Sequence, residues 1–187
     1  MRGRQIVVGV SGGVAAYKTA MLVSQLAQAG AEVQVVLTPA AERFVGRATF
    51  AALSGRPVAV EMFDEGRFPL GAHISLAEWA ELLVVAPATA DFMAKAAWGL
   101  ADDLLSTLVL AFAGPILMAP AMNSTMWAKP AVQRNVARLS EDGVRFVGPG
   151  SGWLSCRQHG AGRMAEPDEI REAIQRLMAP GGAGDSA

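Results

Sequence analysis

The sequence predicts an α/β fold, a doubly wound parallel sheet with helices on both faces, and three observations predict it. Continuous apolar runs of strand length occur at QIVVGV (5–10), EVQVVL (32–37) and LLVVA (82–86). They lack the polar alternation of a half-solvated strand, as strands buried on both faces do. Helical patterns separate them, and βαβα alternation closes into a parallel sheet through right-handed crossovers. The first two runs end in turn residues, Ser11-Gly12-Gly13 and Thr38-Pro39.

Gln5–Val10 is the first strand, and Val14–Ala29 follows as a helix with apolar residues at 15, 22, 26 and 29 and Gly30 as its stop. Glu32–Leu37 is the second strand, after which Ala40–Phe44 starts a helical piece. Thr49–Leu53 fits a short helix and Val58–Val60 an edge strand. Leu82–Ala86 is the third core strand, with helices over Ala90–Trp98 and Asp102–Phe112. Pro115–Met118 is the fourth core strand, Ala131–Leu139 a helix and Val144–Val147 a fifth strand. Pro167–Met178 closes the domain, its start marked by the acid-rich Glu166-Pro167-Asp168-Glu169. Residues 1–179 thus form a single domain, and the Gly-rich tail 180–187 reads as disordered. In such a Rossmann/flavodoxin-like sheet, ligands bind beyond the carboxyl ends of the strands. The loops at Ser11–Val14, Thr38, Pro87–Asp91 and Ala119–Trp127 should therefore converge.

A chain of 187 residues is large enough to bury a sizeable core. Apolar residues make up 52% and charged ones 18%, a balance tilted toward burial and toward contact between copies. The net charge of −1 carries no electrostatic footprint for nucleic acid or an anionic membrane. No apolar run reaches the ~18 residues that suggest a membrane span, and Ile6–Val10 is too short for the core of a signal peptide. The one cysteine, Cys156, forms no internal disulfide framework and fits a reducing cytoplasm.

The loop GVSGGVAAYKT (9–19) joins strand to helix through small residues, which lets backbone N–H groups and a helix N-terminus approach a phosphate. It is no Walker A loop, because Tyr17 stands where the second glycine must be. It also spells G-x-S-x-G; a hydrolase elbow would need His73 or His159 as base, with Asp64 ahead of His73. A bare strand-to-helix turn needs no ligand at all. One cysteine and two separated histidines make no zinc site, so no metal is expected. His73 reads equally as a satisfied structural histidine. Gly148–Met164 holds five glycines, a proline and Cys156, and reads as a long loop able to act as a lid. Its thiol is either passive or a proton carrier beside a ligand.

Five stretches together resemble the flavin-containing cysteine decarboxylase family, and within it the bacterial phosphopantothenoylcysteine decarboxylases. They are SGGVAAYK (11–18), HISLAEWAE (73–81), APATADFMAKAAWGLADDLLST (86–107), PAMNSTMW (120–127) and GWLSCRQHGAGRMAEP (152–167). The resemblance runs from about residue 5 to 178, and P-x-M-N-x-x-M-W is its most specific part. It implies an FMN enzyme that converts 4′-phosphopantothenoylcysteine to 4′-phosphopantetheine in coenzyme A synthesis. The chemistry is intelligible on its own terms. Losing CO2 from an unactivated cysteine carboxylate leaves an electron pair with nowhere to go. Oxidising the carbon that bears sulfur creates a sink beside it, and that oxidation and its reversal are flavin chemistry.

The resemblance also assigns roles. His73 matches the active-site histidine, Asn123 a hydrogen-bond donor to the substrate, and Cys156 a proton donor on a flap. Ser11, Gly12, Gly13, Val14, Thr38, Thr89, Ala90, Asp91 and Ala121 match cofactor-contacting positions, while Met122 touches cofactor and substrate and Trp127 packs the segment. It implies a trimer, or a dodecamer built from trimers, with sites between subunits, and a separate phosphopantothenoylcysteine synthetase as partner. Two places depart from the family pattern. Asp91 stands where Asn is usual, which bears on one flavin-side hydrogen bond. Arg157-Gln158-His159 replaces a glycine and an acidic residue after the flap cysteine, which bears on substrate preference. Peptidyl-cysteine decarboxylases of the lantibiotic type share the His and Asn but lack a flap cysteine. Flavin prenyltransferases lack P-x-M-N-x-x-M-W, and the family's non-catalytic FMN-binding regulators carry long acidic tails.

Overall fold

The computed structural model describes residues 1–64 and 66–179. The tail expected to be disordered, 180–187, lies outside them. Five parallel strands form the main sheet in the order β2-β1-β3-β4-β5: β1 (Gln5–Val10), β2 (Glu32–Leu37), β3 (Leu82–Ala88), β4 (Ile116–Pro120) and β5 (Arg145–Phe146). This is the flavodoxin-type strand order. The register runs Val33–Ile6–Leu82 across the first three strands and Leu83–Ile116 into the fourth.

Alternation along β1 sends successive side chains to opposite faces and so builds two cores. Ile6, Val8 and Val10 pack on Leu22 and Leu26 of α1 (Ala16–Gln28) and on Ile170 and Ile174 of α8 (Pro167–Leu177). Val7, Leu83 and Val85 pack on the other side, against α3 (Ala72–Trp79), α4 (Ala90–Ala97), α5 (Leu104–Ala111) and α7 (Pro130–Glu141). Their contacts there are Leu76, Phe92, Leu105 and Leu139, all buried. Each such side chain contributes roughly 1.5–3 kcal/mol by leaving water. Among the described residues no helix is long and apolar enough to cross a membrane.

Strands β1 and β2 have the expected bounds, and the remaining core elements lie within a few residues of expectation. Three segments differ. Val58–Val60 does not form an edge strand; only Ala59 bridges to β2, donating to Val35 O and accepting from Leu37 N. Ala72–Trp79, which carries His73, is a helix that the apolar pattern does not announce. Gly148–Met164 is not structureless: β6 (Gly150–Trp153) and β7 (His159–Arg163) pair as an antiparallel hairpin. Strand β1 sends its connection toward β2, while the chain returns to β3 on the opposite side. The loops part there, and that is the switch point at which such sheets bind ligands.

Candidate active site

A cavity of about 860 Å³ opens at that switch point, a size that suits a cofactor with its substrate. Its floor is the loop after β1. Ser11 is 2% exposed; its Oγ donates to Pro87 O at 2.7 Å and accepts from Thr89 N at 3.0 Å. Thr89 in turn caps α4, its Oγ1 accepting from Phe92 N at 3.3 Å. Thr38 Oγ1 accepts from Ala41 N at 3.2 Å and fixes the turn after β2. A side chain on Gly12 would collide with Ala40, so glycine lets these two turns touch.

Helices α1 and α4 both start at this cavity. The N–H groups of Gly12, Val14, Ala15, Ala90 and Asp91 meet no acceptor among the described residues. Two helix N-termini with free N–H groups make a site for an anion. The residues present therefore fit a phosphate-bearing cofactor. Metal is a poorer match: among the described residues no group of three His, Cys, Asp or Glu side chains could hold an ion.

The segment after β4 forms one wall. Asn123 caps the single turn of α6 (Ser124–Trp127), with Oδ1 accepting from Met126 N at 2.7 Å. Its amide is therefore oriented from within the chain, and its Nδ2 hydrogens take no acceptor among the described residues. Ala121 and Met122 line the cavity beside it. The hairpin forms the facing wall. Met122 N donates to Gly162 O at 2.9 Å, and a Cβ on Gly162 would strike Met122 O, so only glycine permits this approach. At the hairpin tip Arg157 N donates to Leu154 O at 2.9 Å, which places Cys156 within a tight turn. Cys156 is exposed and lines the cavity together with Trp153.

Charged side chains ring the cavity in pairs. Lys95 Nζ lies 3.0 Å from Asp102 and 3.7 Å from Asp91. The hydrogen bond to Asp102 raises the lysine above its ordinary range and holds Asp102 below its own. Lys18 is only 6% exposed and reaches Glu166 Oε1 at 2.8 Å. The same oxygen accepts from Arg163 Nη2 at 2.7 Å. The Lys18 hydrogen bond, more than Arg163, keeps the Glu166 carboxyl below its usual value.

Ser11, Gly12, Gly13, Val14, Thr38, Thr89, Ala90, Asp91, Ala121, Met122, Asn123 and Cys156 thus meet in one cavity. His73 is not among its lining residues. It sits in the first turn of α3, with Nδ1 buried and without a partner among the described residues. Lys18, Lys95, Asp102, Trp153 and Arg163 also line the cavity and were not anticipated. Lys18 could have been noticed, because a lysine four residues before Leu22 lies on the helix's apolar stripe.

A doubly wound sheet with a cofactor-sized, anion-accepting cavity at its switch point defines a class of nucleotide-type cofactor binders. Within that class the chain belongs to the Flavoprotein family, whose profile matches residues 1–179. It is 47% identical over 93% of its length to the coenzyme A biosynthesis bifunctional protein CoaBC of Haemophilus influenzae, covering 44% of that protein. The Bacillus subtilis counterpart is 44% identical over 96% of the chain, again with 44% of the relative covered. The chain thus spans less than half the length of these curated relatives.

Solved structures agree with the fold. A cysteine-to-serine mutant of PPC decarboxylase, complexed with pantothenoylaminoethenethiol, superposes with a TM-score of 0.87 at 30% identity, covering 96% of this chain and all of that one. The FMN binding protein AtHal3 gives 0.81 at 30% identity, covering 95% and 97%. The FMN-dependent cysteine decarboxylase SpaF gives 0.79 at 36% identity, covering 91% and 93%.

Proposed function

We propose that this chain is an FMN-dependent phosphopantothenoylcysteine decarboxylase that forms 4′-phosphopantetheine in coenzyme A biosynthesis, with residues 1–179 as its flavoprotein domain. The observation that carries the reading is the meeting of Asn123 and Cys156 across a cavity floored by two helix N-termini. Similarity to CoaBC proteins and to a PPC decarboxylase structure supports the substrate.

In this reading the N–H groups of Gly12, Val14, Ala90 and Asp91, with the Thr38 hydroxyl, hold the FMN phosphate. Bound FMN supplies the two-electron oxidation next to the carboxylate and its later reversal. Asn123 Nδ2 donates to the substrate carboxylate and keeps it aligned, because its Oδ1 is committed to Met126 N. Cys156, carried on the hairpin, hands a proton to carbon after CO2 has left. His73 holds the reacting group. Since it does not line its own cavity, it serves the cavity of a neighbouring copy, and the active form is a trimer or a dodecamer of trimers. Exposed Leu70 and Ile74 flank His73 as apolar surface for that contact. The bifunctional relatives support a phosphopantothenoylcysteine synthetase acting alongside.

Cys156 also separates this reading from a peptidyl-cysteine decarboxylase, whose reaction stops at the ene-thiol. The test is to purify the protein, denature it and identify the released flavin, then assay phosphopantothenoylcysteine beside a plain cysteinyl peptide. Yellow protein that releases FMN and turns over only the former is expected. Colourless protein that takes up no added FMN overturns the proposal.

A further inference from the structure

Lysine is a costly residue to bury, and nothing in the proposed reaction uses Lys18. Its Nζ is enclosed between Glu166 Oε1 at 2.8 Å and Met164 O at 3.3 Å. Removing a cation from water is tolerated only where charge and hydrogen bonds replace the solvent. The fold itself does not call for it. Helix α8 is capped without Lys18, through a reciprocal box in which Glu166 accepts from the Glu169 backbone and Glu169 accepts from Glu166 N at 2.7 Å. An apolar side chain at position 18 would complete the buried stripe of α1.

The contacts of Lys18 lead instead to the hairpin. Two strands alone are marginally stable in water, so a hairpin sits where its anchors put it. One anchor is the Met122–Gly162 hydrogen bond. The other is Glu166, whose Oε1 takes both Lys18 Nζ and Arg163 Nη2, the last residue of β7. Lys18 is a firm post because α1 is itself fixed to the sheet, with Thr19 Oγ1 donating to Ala86 O at 2.7 Å in the interior.

We propose that Lys18, Glu166 and Arg163 form an ionic clasp that sets the position of the hairpin carrying Cys156, which makes Lys18 and Glu166 positioning residues for proton delivery. The clasp follows from these contacts alone; its role in proton delivery rests on the function proposed above.

The experiment compares wild-type protein carrying its cofactor with Lys18→Met and Glu166→Gln. The first keeps length and removes charge; the second keeps an acceptor for the cap of α8. Hydrogen exchange should quicken about tenfold at 150–163 and at the Met122 amide, as loss of a charge-assisted bond makes local opening easier. Protection in β1 and α5 should stay unchanged. In single turnover, CO2 release should persist while formation of the reduced thiol product falls about tenfold. Unchanged exchange in the hairpin, or exchange raised equally throughout the chain, overturns the clasp. Local quickening with a normal yield of reduced product overturns the positioning role. Should Lys18→Met fail to fold, Glu166→Gln alone decides. If wild-type protein releases no CO2, the functional reading falls, and the exchange data still decide the clasp.

Discussion

Ser11 Oγ and Thr89 Oγ1 stand 3.1 Å apart, so one hydroxyl pair joins the loop after β1 to the cap of α4. Both helices whose N-termini face the cavity are thereby held in one frame. Ser11→Ala leaves the Thr89 N–H without its acceptor and leaves Pro87 O with only the longer bond from the residue-11 backbone N–H, at 3.3 Å. A loss of about 1–3 kcal/mol of stability is expected, together with weaker flavin binding. Urea unfolding and flavin titration measure the two effects, and unaltered values in both would show that the frame tolerates the gap.

Cys156 and His73 should arrest the reaction at different points. Cys156→Ser should release CO2 once per site and accumulate an ene-thiol, because a hydroxyl is a much weaker proton donor than a thiol. His73→Asn should release little CO2. Anaerobic single-turnover CO2 measurement, with mass analysis of the products, separates them. Normal pantetheine product from Cys156→Ser would make the thiol a bystander.

His73 lies outside its own chain's cavity, which gives a mixing experiment its logic. Chains bearing His73→Ala and chains bearing Asn123→Ala should each be inactive, yet regain activity when co-assembled. Sites with His73 from one copy and Asn123 from another are then intact. Mixed assemblies that stay inactive, or a fully active monomer in sedimentation, would contradict shared sites.

Glu166 makes the hairpin's anchorage depend on pH in a stated direction. Its folded carboxyl is held below the ordinary 4.5, first by the Lys18 hydrogen bond. A depressed carboxylate contributes stability above its unfolded value and loses it as pH falls through the folded value. Anchorage should therefore persist through pH 4.5 and fail only in stronger acid. Hairpin exchange in wild type and Glu166→Gln should differ at neutral pH and converge at the acid end. A difference that does not change with pH would remove the carboxylate from the account.

The buried strands were legible because burial on both faces writes itself as unbroken Val, Ile and Leu. The cavity loops were legible because glycine, serine and threonine cluster where strands end. The hairpin was not, since its position comes from glycine contacts such as Gly162 on Met122 rather than from an apolar face of its own. Helix α3 was missed because Gly71 starts it with φ 98° and no capping side chain marks the start. The position of His73 relative to the cavity is a tertiary fact, and no local pattern carries it. The ion pair of Lys18 joins residues 148 positions apart in sequence, beyond the reach of any spacing rule.

Arg157 follows Cys156 with φ 61°, alone among the described non-glycine residues on the positive side. Left-handed backbone costs an L-residue about 1–2 kcal/mol, and glycine escapes most of that. Arg157→Gly should accordingly raise the unfolding midpoint, by up to about 1 kcal/mol of stability once glycine's greater freedom in the unfolded chain is counted; a lowered midpoint would mean that the guanidinium repays its backbone. Among the described residues, non-glycine backbone on the positive side thus falls at one bend, beside the only cysteine of the sequence. Anyone wishing to make this protein more heat-resistant would find the first useful substitution at that bend.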